Sequence, residues 1–266
     1  MYGPAHPALL VVAHGSRDPR HAATVHALVR QVRSQRPGVR VGTAFLDFNA
    51  PAVPRVLERM ANDAVAQVVA LPLLLARAFH AKSDIPSVLD EARARHPRLR
   101  ITQAGVLGPS RLLLDTVEQR LYEAGLTPAD KGSTGVVLAS AGSSDPEAAS
   151  GLAEVARDLR HSGWRTVRPA FASAVTAAGP PAPGDAVRAL RAAGAEGAGG
   201  SEPLKRVAVA PYVIAPGRLP DRIADGARAA GADVLADVLG PSPALARLVL
   251  RRYDEALAVQ RLAAAG

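Results

Sequence analysis

Short unbroken apolar runs alternate with longer stretches whose apolar positions recur every three or four residues, and this holds along the whole 266-residue chain. Residues 8–13 are entirely apolar and stop at a polar turn, as a strand buried on both faces of a parallel sheet does. Residues 19–36 carry Ala23, Val25, Leu28, Val29 and Val32 at helical spacing, with Asp18 placed to cap the helix and Pro19 at its first position. Further strands are predicted at 39–46, 65–75 and 98–104, and helices at 52–64, 83–95 and 110–124. A linker is expected at 125–135, which holds Pro128, Gly132 and Gly135. Beyond it the order returns, with strands at 135–140, 166–172, 206–214 and 232–239 and helices at 146–162, 185–193, 220–230 and 243–257. The stretch 194–203, rich in Gly and Ala, is read as a flexible loop. Strand–helix alternation predicts an α/β fold of two similar lobes, residues 1–127 and 133–260, each a mostly parallel sheet with helices on both faces.

The two halves also repeat in wording. Leu-Leu-Val-Val-Ala-His-Gly-Ser-Arg-Asp-Pro at 9–19 returns as Val-Val-Leu-Ala-Ser-Ala-Gly-Ser-Ser-Asp-Pro at 136–146, with Ala141 in place of His14. Ala-Gly-Val-Leu-Gly-Pro-Ser at 104–110 returns as Ala-Asp-Val-Leu-Gly-Pro-Ser at 236–242. An internal duplication in which one copy keeps its metal-binding side chains predicts a single working site.

Composition narrows the chemistry. The absence of cysteine excludes disulfides, thiolate metal sites and a cysteine nucleophile within the chain. No secretory pattern opens the sequence and no apolar run reaches the roughly 20 residues a spanning helix needs, so a cytoplasmic protein without membrane attachment is expected. A net charge of +8 invites a nucleic-acid reading. The arginines, however, are dispersed along amphipathic stretches, and aromatic residues make up only 3% of the chain, leaving few rings to stack on bases. A small polyanionic ligand suits the charge without those requirements. The dinucleotide, P-loop, hydrolase-elbow and zincin motifs are all missing.

Ligands of parallel α/β sheets gather beyond the carboxyl ends of the strands. His14 follows the first strand, Asp47 the second, and His80 comes shortly after the third. Each has an ordinary alternative: a strand-end histidine bonded to backbone, a loop histidine, and a carboxylate capping the helix entered at Pro51. Together they make two imidazoles and a carboxylate on one sheet edge, a set that leaves positions open on a divalent cation. His21, His26, His96 and His161 read as surface residues, and His6 as part of a loose amino terminus. Ser16 has no elbow motif around it, and Ser143 repeats it without a histidine, which argues against acyl transfer.

The segments His14-Gly-Ser-Arg-Asp-Pro19, Phe45-Leu-Asp47 and Pro72-Leu-Leu-Leu through His80 to Asp84-Ile-Pro86 together resemble the sirohydrochlorin chelatase family. That resemblance implies a class II chelatase fold with a tetrapyrrole held between the lobes, and insertion of Fe2+, giving siroheme, or of Co2+ for cobalamin. It implies metal binding by His14 and His80. The family's acidic partner, often glutamate, falls on Asp47, and Arg77 stands where relatives commonly approach the histidine through a glycine. No cofactor is expected beyond the divalent metal substrate. Ser16, Arg17, Arg77, Lys82 and Arg218 flank the expected site and are candidates to meet the acidic tetrapyrrole, while Ala141, Ser173 and Leu219 of the second copy offer no strong ligand. A monomer or homodimer is expected. A metal or tetrapyrrole carrier without turnover would use the same residues.

Overall fold

The computed structural model describes residues 6–77, 80–173, 179–195 and 203–265. It consists of two compact units. The first comprises residues 1–110 together with 241–266, and the second residues 111–240.

In the first unit the strands β1 (Ala8–Ala13), β2 (Val41–Phe45), β3 (Gln67–Pro72) and β4 (Arg100–Gln103) form an all-parallel sheet in the order β2-β1-β3-β4. The central strand β1 is buried at every position, as its unbroken apolar run requires. Side chains alternate across the sheet. Ala8, Leu10, Val12, Val68 and Ala70 pack with Val53, Leu57 and Met60 of α2 (Val53–Asn62) and with Ile85 and Leu89 of α3 (Ile85–Arg95). The opposite face carries Leu9, Val11, Val69 and Leu71, all fully buried, beneath α1 (Pro19–Gln35) and the carboxyl-terminal helix α8 (Pro243–Ala265).

The second unit repeats the design. β5 (Thr134–Ser140), β6 (Thr166–Phe171), β7 (Arg206–Pro211) and the short β8 (Val234–Leu235) pair in parallel as β6-β5-β7-β8. Val137, Ala139, Val207 and Val209 pack against α6 (Pro183–Ala195) and α7 (Arg218–Ala229). α5 (Pro146–His161) and α4 (Arg111–Glu123) cover the other face.

The boundaries therefore differ from a simple cut between residues 127 and 133. α4 closes the first repeat in sequence but packs on β7, and α8 closes the second repeat but packs on α1 and β3. Specific contacts hold α8 in place. Arg252 donates to the carbonyls of Val106 (2.8 Å), Leu107 (2.9 Å) and Pro109 (3.0 Å), and the Tyr253 hydroxyl donates to Pro7 O (2.5 Å).

The expected linker is likewise part of the second unit. Residues Pro128–Ser133 form a 3-10 turn, opened by Asp130 Oδ2 accepting from Thr127 N (2.8 Å) and Oγ1 (2.7 Å). Lys131 from this turn donates to Glu118 of α4 (2.6 Å), and Ser162 Oγ (2.5 Å) and Trp164 Nε1 (3.1 Å) donate to the same carboxylate oxygen. Burial alone would raise the Glu118 carboxyl, but these hydrogen bonds and the Lys131 charge hold it below the ordinary range. Most of the predicted loop 194–203 lies outside the described residues.

Candidate functional site

The turn after β1 is built by backbone and short polar side chains. Asp18 Oδ1 accepts from Arg20 N (2.9 Å) and caps α1, while Ser16 Oγ accepts from Asp18 N (3.1 Å). Gly15 has φ +97°, and a side chain there would drive into the carbonyl oxygen of Asp47, so the position admits only glycine. The turn after β2 is tied to it. Asp47 N donates to His14 O (2.9 Å), and Asn49 Oδ1 accepts from Ser16 N (2.8 Å). Asn49, which the sequence reading passed over, thus fixes one turn against the other; an isolated Asn in a loop gives no pattern from which to infer this.

The second copy keeps this scaffold without its imidazole. Asp145 caps α5 through Glu147 N (3.0 Å), Ser143 Oγ accepts from Asp145 N (3.1 Å), and Ser173 N donates to Ala141 O (3.1 Å). Gly142 has φ +102°, and a side chain there would collide with Ser173. The Gly, Ser, Asp and Pro of the repeated motif are accounted for by turn and cap geometry. His14 is not, because Ala141 serves the same turn.

The half-buried His14 ring brings Nδ1 to 3.1 Å from Gly15 O. With the proton on Nδ1 the ring donates to this carbonyl, and Nε2 then carries the lone pair, the form a metal ligand takes. Phe48 lies beside it, the two ring centroids 6.1 Å apart, and the guanidinium of the exposed Arg17 stands 5.2 Å from the Phe48 centroid. Phe48 adopts φ +59°, a left-handed conformation costing roughly 1–2 kcal/mol for a residue with a side chain.

Asp47 is exposed, and its Oδ1 accepts from Phe48 N (2.7 Å). It does not cap α2, whose N-cap is Ala52 without a side-chain bond. His80 opens a π-helical turn, His80–Asp84, that runs directly into α3, and Gln103 at the end of β4 secures this turn by donating to Ala81 O (3.1 Å). Ala78, Phe79 and the side chain of His80 lie outside the described residues. Among the described residues no three His, Cys, Asp or Glu side chains come together as a metal site. Arg77 and Lys82 are exposed in the first unit, and Arg218 is exposed at the start of α7 in the second.

Three histidines expected at the surface, His21, His26 and His96, are half-buried instead. His26 is half-buried, its ring edge-on to Phe45 at 5.7 Å. His21, in the first turn of α1, is half-buried, and its Nδ1 is enclosed with no hydrogen-bond partner. Burial first, and then the His14 imidazole, hold His21 below its ordinary pKa, against a weaker pull from Asp18. Helical spacing gave no sign of this burial, because His21 occupies a polar position of α1. His161 is exposed, as expected.

The CbiX family model matches residues 8–124 and again 135–256, each match covering one repeat. The chain belongs to the CbiX family. Sirohydrochlorin cobaltochelatase of Priestia megaterium is 31% identical over 154 residues, 57% of this chain and 49% of the relative. Sirohydrochlorin ferrochelatase of the same organism is 29% identical over 157 residues, 59% of this chain and 58% of the relative. These alignments span about half the length of the curated relatives. The solved structure of SirB from Bacillus subtilis with Fe3+ superposes with a TM-score of 0.78 at 25% identity, covering 94% of this chain and 95% of that one. The two-lobed α/β architecture of this CbiX-family chain is therefore that of chelatases. No helix among the described residues is long and apolar enough to cross a membrane.

Proposed function

We propose that the chain is a sirohydrochlorin chelatase, a lyase that places a divalent metal in the tetrapyrrole with release of two pyrrole protons. The observation that carries this reading is His14 itself, a presented imidazole in one copy of a turn that the other copy builds equally well with alanine. His14 Nε2 and His80 hold the incoming ion through exchangeable ligands, and Asp47 assists them as ligand or proton carrier. Arg17, Ser16, Arg77, Lys82 and Arg218 meet the acidic side chains of the tetrapyrrole, and the net charge of +8 draws that polyanion in. The second copy contributes no metal ligand, Ala141 standing where the first has His14. Fe2+, giving siroheme, is the preferred metal in this reading. Cobalt is the second reading, favoured by the cobaltochelatase among the relatives.

Anaerobic mixing of the protein with sirohydrochlorin and limiting Fe2+ or Co2+, followed by absorption, tests the proposal. His14→Ala and His80→Ala are each expected to slow insertion by about 10–100-fold, the usual scale for disturbing a metal site. His161→Ala leaves the rate unchanged. Equal rates in all three variants reject the assignment. Tight binding with no rate above the uncatalysed one makes the protein a carrier.

A further inference from the structure

Phe48 is the one residue beside His14 that the turn does not explain. The residue is 49% exposed although the chain has only four phenylalanines, and its backbone is left-handed at φ +59°. A turn selected for folding alone would place Gly or Asn here, since both take this conformation readily. Asp47 Oδ1 already satisfies the Phe48 amide, so the turn does not depend on the aromatic side chain. In sequence, Ala174 follows Ser173 as Phe48 follows Asp47, so the second copy lacks histidine and aromatic residue together. What the ring does touch is specific. The His14 imidazole lies 6.1 Å away at 33° between planes, and Arg17 lies over the ring at 5.2 Å. An apolar plane, a guanidinium and an imidazole are thereby set side by side at one strand edge. A flat π-system with acidic substituents matches that set, stacking on the plane and pairing with the cation.

We propose that Phe48 is a substrate-binding residue, a stacking platform for the planar tetrapyrrole, with Arg17 pairing one of its carboxylates. The inference rests on the chelatase reading and adds to it the residue that seats the ring beside His14. Phe48 contributes to holding the macrocycle and not to holding the metal.

The test uses metal-free sirohydrochlorin as probe, titrated into the full chain and followed by its absorption, beside insertion kinetics and Co2+ titration. Phe48→Ala and Phe48→Asn are expected to weaken tetrapyrrole binding and raise its KM by about tenfold, the scale of losing one aromatic stack. In both variants kcat stays within about threefold and Co2+ affinity is unchanged. Phe48→Trp keeps binding within about threefold of the parent. Because Asn tolerates the left-handed backbone, the Tm of Phe48→Asn does not fall. Unchanged tetrapyrrole affinity in Phe48→Ala and Phe48→Asn overturns the inference, and so does a Tm loss of more than about 5 °C in Phe48→Asn, which marks the ring as part of the fold. In either case a chelatase reading still supported by slow insertion in His14→Ala survives. A parent chain that neither binds nor metallates the tetrapyrrole overturns both.

Discussion

At the scale of single residues, the motif around His14 separates into scaffold and chemistry because the chain carries its own control. Ser16, Asp18 and Pro19 have counterparts in Ser143, Asp145 and Pro146 with the same hydrogen bonds, so their presence speaks for the turn. Gly15→Ala is expected to destabilise the protein by about 2–5 kcal/mol, since it adds a left-handed Cβ and forces apart two turns that touch through Asp47 O. Chemical denaturation measures this, and a loss under about 0.5 kcal/mol would show that the turns are not locked. His14 and Asp47 were legible as strand-end residues because parallel strands deliver their carboxyl ends to one edge. His21 was not. Its position on α1 reads as polar surface, and only packing encloses Nδ1 and sets it within the electrostatic reach of His14.

At the scale of elements, apolar runs and helical spacing located the eight strands and eight α-helices found among the described residues, with most ends displaced by a few residues and α8 running eight residues beyond its predicted end. The shortest is β8, only Val234–Leu235 within a longer apolar stretch, because it pairs along two residues of β7. The π-helical turn at His80–Asp84 is expected as loop over its first three residues and as the start of a regular helix over its last two, since the i+5 pattern leaves no signature in so short a segment. The exchange of α4 and α8 was also invisible. Periodicity shows that a helix has an apolar face but not which sheet it covers. The exchange has a measurable consequence. A fragment of residues 1–127 lacks α8, which packs on α1 and β3 and carries the buried Leu245, Leu248, Val249 and Tyr253, and leaves α4 without β7. It is expected to give no cooperative thermal transition as a monomer, measured by circular dichroism on a sized fraction. A well-folded monomer of 1–127 would contradict the described packing.

At the scale of the whole molecule, duplication supplies two sheets and two sets of turns, of which only the first carries a histidine after its opening strand. Parallel order and burial on both faces were legible from strand–helix alternation, and the family match over both repeats agrees with the duplicated wording of the sequence. At the strand ends, Ala141 and Ser173 stand against His14 and Asp47 in turns of the same build. Under the proposed function, a chain organised this way is expected to bind one ion, not two. Anaerobic titration of the metal-free protein with Co2+, followed in the visible spectrum, tests this most directly. The account predicts one Co2+ per chain, lost in His14→Ala and retained in Ser173→Ala. Two ions per chain, or one ion still held by His14→Ala with an unaltered spectrum, would contradict it.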